Sequence, residues 1–130
     1  MACLETSFLI DLLRGKREVA ALKDQLYESE SSLAIAAPSI TELWSGALLS
    51  NFPDVEKAKI TELIQSLEIL NLDEESAKEA GEIEAGLLRK GLAIQTEDIM
   101  IAGIARVHGE KLVTRDPHYA RIPGLRVLKY

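Results

Sequence analysis

Residues 96–119 read TEDIMIAGIARVHGEKLVTRDPHY, and their pattern decides the fold. Ile99, Met100, Ile101, Ala102, Ile104, Ala105 and Val107 make the predicted helix over 97–108 apolar on most sides. A helix of that kind is buried. Gly109 stops it, a short apolar strand follows at 111–113, and the chain turns at Thr114-Arg115-Asp116-Pro117. A buried helix has little use for a carboxylate in its first turn unless something polar or charged lies opposite. Asp98 is such a carboxylate, and Asp116 arrives straight after the next strand. Two acids delivered by adjacent elements are the beginning of a cation site.

The text on either side of this stretch repeats the alternation of strand and helix. Met1 to Leu4 reads as a short apolar strand, and Glu5-Thr6-Ser7 offers a hydroxyl cap to a helix from Phe8 to Leu13. A helix at Arg17–Glu28 keeps Val19, Leu22 and Leu26 on one face, and Leu33–Ala37 is a buried strand. Pro38-Ser39 opens a helix with Ile40, Leu43, Trp44, Ala47 and Leu48 facing inward. After a break at Asn51-Phe52-Pro53 come a helix at Asp54–Ser66, a strand at Glu68–Leu72 and a long amphipathic helix at Asp73–Lys90, ended by Gly91. A turn of helix at Pro117–Ala120 and a last strand at Arg126–Leu128 close the chain. This alternation predicts an α/β fold: one domain over 1–130, with a central, mainly parallel sheet of four to five strands flanked by helices. Strands that are continuous apolar runs agree, because parallel strands are covered on both faces.

Composition narrows the function. Apolar residues make up 47% of the 130, enough for one globular core. The stretch from Cys3 to Ile10 is interrupted by Glu5 and has no basic leader, so no signal peptide is expected, and no apolar run approaches membrane-spanning length. The single cysteine, Cys3, has no internal disulfide partner. A soluble cytoplasmic protein with no membrane partner is the expectation. The net charge of −6 argues against a general nucleic-acid coat, but it is uneven. Residues 106–130 hold six Lys and Arg against Glu110 and Asp116, a basic edge suited to guiding a phosphate backbone. Scattered solubilising charge explains the same counts.

In a doubly wound parallel sheet the carboxyl ends of the strands share one rim, where ligands bind. Glu5 ends the first strand, Asp116 lies just past the strand at 111–113, and Glu42 and Asp98 fall in the first turns of their helices. Each has a plain explanation alone. Ser39-Ile40-Thr41-Glu42 matches a capping box, Asp98 favours the positive end of a helix dipole, and Asp116 before Pro117 is a good N-cap. Glu5 suits a strand end facing water. Together on one rim, four carboxylates would repel one another and raise their own pKa values, and a divalent cation resolves that repulsion. Oxygen ligands without histidine or cysteine favour Mg²⁺ or Mn²⁺ over zinc. His118 is read as structural or solvated. Thr6 and Thr114 carry hydroxyls able to orient carboxylates or water, or simply to cap and turn the chain.

LETSFLIDLLRG (4–15), SITELWSGA (39–47), AGEIEAGLLRKG (80–91) and EDIMIAGIARVHGEKLVTRDPHYARIPGL (97–125) resemble, in order and spacing, a PIN domain. The likeness is to the VapC-like ribonuclease toxins of toxin–antitoxin modules in particular. The resemblance implies an acidic quartet that binds Mg²⁺ or Mn²⁺ and hydrolyses RNA phosphodiesters. It assigns the quartet to Glu5, Glu42, Asp98 and Asp116, with supporting hydroxyls on Thr6 and Thr114. It also implies a homodimer and a small antitoxin protein that covers the acidic groove. One position departs from the family, whose first acid is almost always aspartate where this chain has Glu5. The extra methylene moves the carboxylate by roughly 1.5 Å, and a misplacement of that size can lower a rate on the order of 10²-fold.

These readings predict a metal-dependent endoribonuclease, with Arg115 and Arg121 as candidate phosphate contacts or as solvated surface charge. One rival is a catalytically weakened PIN-like binding module that dimerises and captures an antitoxin. A second, a phosphohydrolase of small molecules, is weaker. The chain has no paired aspartates after its first strand, no glycine-rich phosphate loop and no Walker-type lysine.

Overall fold

A computed structural model describes residues 1–130. Five strands form one sheet: β1 (Ala2–Leu4), β2 (Leu33–Ala36), β3 (Glu68–Leu70), β4 (Lys111–Thr114) and β5 (Val127–Lys129). Their order is β3-β2-β1-β4-β5 and every pairing is parallel. Six helices surround it: α1 (Thr6–Leu13), α2 (Arg17–Glu30), α3 (Ala37–Leu48), α4 (Pro53–Gln65), α5 (Glu74–Arg89) and α6 (Thr96–Val107). A 3₁₀ turn spans Pro117–Arg121. No helix is long and apolar enough to cross a membrane.

The alternation of side chains along a strand sorts the core into two layers. Ala2, Leu4, Leu33, Ile35 and Val113 face a layer built with α1 to α4. Cys3, Ala34, Ala36 and Leu112 face α5 and α6. The second face is made mostly of small residues, which lets the apolar helix α6 lie close against the sheet. Gly103 continues the same economy of space between helices. A methyl group there would stand 2.8 Å from the Ser76 carbonyl oxygen and 2.9 Å from the Ala80 Cβ, so α6 and α5 touch backbone to backbone. Cys3, fully buried in this layer, has its thiol pushed up to about 12 by burial.

Several boundaries differ from the sequence reading. α1 begins at Thr6, two residues early, because the Glu5 carboxylate caps it by accepting from the Ser7 backbone N–H. Asp73 lies outside α5 and caps it, exchanging hydrogen bonds with Ser76. α3 starts at Ala37 directly from β2, so Ser39 is its third residue and no capping box forms with Glu42. Trp44 and Leu48, expected inward, are exposed. Ile40, Leu43 and Ala47 of that helix pack on the core, while Trp44 and Leu48 flank an apolar groove beside β3, an edge strand of the sheet.

The strand order reverses between β1 and β4. The chain builds outward from β1 to β2 and β3, then crosses back to lay β4 on the other side of β1. Ligand crevices form at the carboxyl ends of strands at such a switch point. Leu4 lies in register with Val113, so the residues that follow β1 and β4 emerge side by side.

Candidate active site

Glu5 leaves β1 and turns its carboxylate back into the molecule, where it is only 4% exposed. Its Oε2 accepts from the Ser7 N–H at 2.9 Å, and its Oε1 accepts from the Ser7 hydroxyl at 2.7 Å and from the Thr114 hydroxyl. Thr114 ends β4 and is fully buried; its oxygen accepts in turn from the Asp116 N–H at 3.0 Å. The Ser7 oxygen accepts from the Arg115 N–H at 3.2 Å. These bonds stitch the β1–α1 junction to the segment after β4, across more than 100 residues of chain.

Glu42 lies in the second turn of α3 rather than the first. Its Oε1 is 3.0 Å from the Thr6 hydroxyl, which is also 3.0 Å from the buried Ser39 hydroxyl. The side chain that local sequence read as half of a helix cap is therefore held by a residue from another element. Asp98 lies in the first turn of α6 and accepts at Oδ1 from the Tyr119 hydroxyl at 3.1 Å. Asp116 caps the 3₁₀ turn. Its Oδ1 accepts from the His118 N–H at 2.9 Å and stands 2.7 Å from His118 Nδ1. Asp98, Asp116 and His118 line one depression of about 300 Å³, together with Ala93, Ile94 and Gln95.

The electrostatics tie the four acids together. Burial raises the Glu42 carboxyl above its ordinary range; the Thr6 hydroxyl opposes the shift, and the charges of Asp98, Glu5 and Glu97 add to it. Burial likewise raises Asp98, opposed by Tyr119 and reinforced by Asp116, Glu5 and Glu97. No lysine or arginine pairs with any of the four; the one ring nitrogen against them is His118 Nδ1, beside Asp116. As placed, no three of the acids close around one point, so they form an open acidic rim and not a finished cage. A hard divalent cation suits such a rim. Mg²⁺ keeps several waters and needs only one or two protein carboxylates, and the like charge that adds to burial in raising two of the carboxyls is what a cation relieves. Glu42, Asp98 and Asp116 have oxygens to give. Glu5 has most of its hydrogen-bonding capacity already spoken for.

Arg115 is not a free phosphate ligand. Its Nε donates to Asp11 Oδ2 at 2.8 Å. Asp11, only 1% exposed, also holds Lys16 at 2.9 Å and the Tyr130 hydroxyl at 2.8 Å. The Arg115 guanidinium, more than its opposing burial, holds the Asp11 carboxyl far below the usual carboxylate range. This cluster clamps the segment after β4 and the end of β5 onto α1. Arg121, by contrast, is exposed and has no carboxylate partner. Asp11→Asn should lower stability by about 1–3 kcal/mol at pH 7, less than breaking a fully buried pair would cost, because Arg115 and Lys16 are half-exposed and rehydrate. A carboxyl depressed on folding stabilises above its unfolded pKa of about 3.9 and loses that effect as pH falls further. Urea unfolding at pH 7 and pH 3 should therefore show the gap between wild type and variant narrowing at the lower pH.

Asp11 and Tyr119 escape the sequence reading, which gives Ser7 and Ser39 only as helix caps. Ser7 carries a local signal for its contact with Glu5, standing two residues after an acid at a helix start.

With this geometry in place, the chain matches the PIN domain over residues 2–125. It is 33% identical over 125 residues to the tRNA(fMet)-specific endonuclease VapC of Salmonella typhimurium, covering 95% of this chain and 93% of that protein. The protein of the same name from Shigella flexneri is 30% identical over 124 residues, covering 95% and 92%. The solved structure of DNA-bound VapBC from Salmonella typhimurium superposes with a TM-score of 0.90 at 32% identity, covering 99% of this chain and 98% of that one. Full-length matches in sequence and in fold, at this level of identity, place the chain in the PIN-domain family, among its VapC-like members.

Proposed function

We propose that this chain is a metal-dependent endoribonuclease that acts in the cytoplasm as the toxin of a toxin–antitoxin pair. The observation that supports the proposal is the shared depression of Asp98 and Asp116, with the charges of Glu42 and Glu5 acting beside it and no lysine or arginine paired with any of the four. The VapC relatives named as endonucleases specific for tRNA(fMet) support RNA as the substrate class and make tRNA the first to assay. Solved VapBC neighbours support an antitoxin partner, and a homodimer is part of the same proposal.

Asp98 and Asp116, which line one depression, would hold the ion, with the carboxylates of Glu42 and Glu5 adding negative charge beside it. When bound, Mg²⁺ or Mn²⁺ supplies a nucleophilic water and offsets charge on the phosphoryl oxygen. The Thr6 hydroxyl orients Glu42, and the hydroxyls of Ser7 and Thr114 fix Glu5. Arg121 is the uncommitted cation nearest in sequence to the rim and the better candidate for a substrate phosphate; Arg115 acts by bracing the loop. Cleavage of single-stranded RNA should vanish in EDTA and return with excess Mn²⁺ or Mg²⁺. Cleavage that survives chelation rejects the metal mechanism.

A second reading is favoured by one observation, the inward commitment of the Glu5 carboxylate. On it, the chain is a weakened PIN domain whose role is to bind its antitoxin. Antitoxin binding measured beside cleavage separates the two, because a pure binding module captures the antitoxin and leaves RNA intact.

A further inference from the structure

Tyr119 is the largest fully buried side chain in the protein, packed in the α5–α6 layer of the core. For packing alone a phenylalanine would serve. A phenolic hydroxyl in such a place is unfavourable unless it finds a partner. Its one side-chain partner is Oδ1 of Asp98, and it is the only side-chain donor that reaches that carboxylate. The charges that weigh most on Asp98 are all acidic: Asp116, Glu5 and Glu97. Gln95, which precedes α6, gives no side-chain cap that would hold the first turn in place. The phenol is therefore the one side chain that restrains Asp98 from below.

The bond also joins two elements. Tyr119 belongs to the 3₁₀ turn capped by Asp116, and Asp98 belongs to α6. Asp98 and Asp116 line the same depression. A hydrogen bond from the turn to the helix fixes the spacing of the two acids as well as the orientation of one.

We infer that Tyr119 is a positioning residue: its buried hydroxyl sets the Asp98 carboxylate against Asp116 so that the pair presents a ready site for a divalent cation. The inference rests on the proposed metal-dependent function and names a residue that serves it. Outer partners that hydrogen-bond a metal-ligating carboxylate typically affect metal affinity by about 10- to 100-fold.

Tyr119→Phe keeps the ring that fills the core and removes only the hydroxyl. Mn²⁺ affinity is read by titration with electron paramagnetic resonance, and thermal melting is measured separately in EDTA. The expected result is an affinity weaker by about 10-fold, with a melting temperature in EDTA close to wild type. Equal Mn²⁺ affinity in the two proteins overturns the inference and leaves the metal-dependent function standing. Lower melting temperature with unchanged affinity makes the hydroxyl merely structural and overturns it as well. A wild-type protein that takes up no Mn²⁺ overturns both the inference and the function on which it rests.

Discussion

Asp98→Asn is expected to lower RNA cleavage by roughly 10²–10³-fold, the usual scale for losing one preorganised electrostatic contact to a reacting phosphate or its cation, while leaving the metal-free protein at least as stable as wild type. The two halves have one cause. Asp98 is placed among acids and half-buried, so its carboxyl is raised above the ordinary range. A carboxyl raised on folding favours the neutral form, and its ionisation destabilises the fold as pH rises from the unfolded pKa through the folded one. At pH 7 the charge opposes folding, and asparagine removes it. The melting temperature in EDTA should therefore match or exceed wild type at pH 7, with the difference disappearing near pH 4. Addition of Mn²⁺ should raise the wild-type melting temperature and leave the variant unmoved. Cleavage retained within a few-fold would remove Asp98 from the site.

Glu5→Asp is expected to raise cleavage by up to about 10²-fold. The glutamate reaches far enough to take two hydroxyls and its own helix's N–H, and it ends 4% exposed. An aspartate is an equally good cap for α1, but it is shorter by about 1.5 Å and draws the charge back from Thr114. Its carboxylate then sits where PIN-family likeness places the first acid. Single-turnover cleavage of one RNA by the two proteins, at saturating Mn²⁺, measures the effect. Equal rates would mean that the glutamate already does what the aspartate would, and the weakened-toxin reading would go with that result.

Alternation of apolar runs with amphipathic segments was enough to read a parallel α/β sheet, because such strands are covered on both faces. The order β3-β2-β1-β4-β5 was not legible, since nothing local records which strand lies beside which. The four acids were legible as a group because the rim of a parallel sheet is a property of topology. Their partners were not. Glu5 and Thr114 are 109 positions apart, Tyr130 and Asp11 are 119 apart, and Tyr119 and Asp98 are 21 apart. Local rules also mislead at Ser39 to Glu42, where the spacing of a capping box is present but the helix begins three residues earlier, with Ala36 at its N-cap, straight from β2. Charge and place in the turn make Arg115 a candidate phosphate contact or a solvated surface charge, and it is neither. Asp11, one turn into α1 with no local feature to mark it, claims that guanidinium.

The buried thiol of Cys3 has a practical consequence. With its proton held until about pH 12 and no solvent reaching it, it offers almost no thiolate to maleimides or peroxide at neutral pH. A cysteine introduced on the surface would be the sole labelling position without any need to replace the native one. A fluorophore or spin probe attached there would report on antitoxin capture from a single known point.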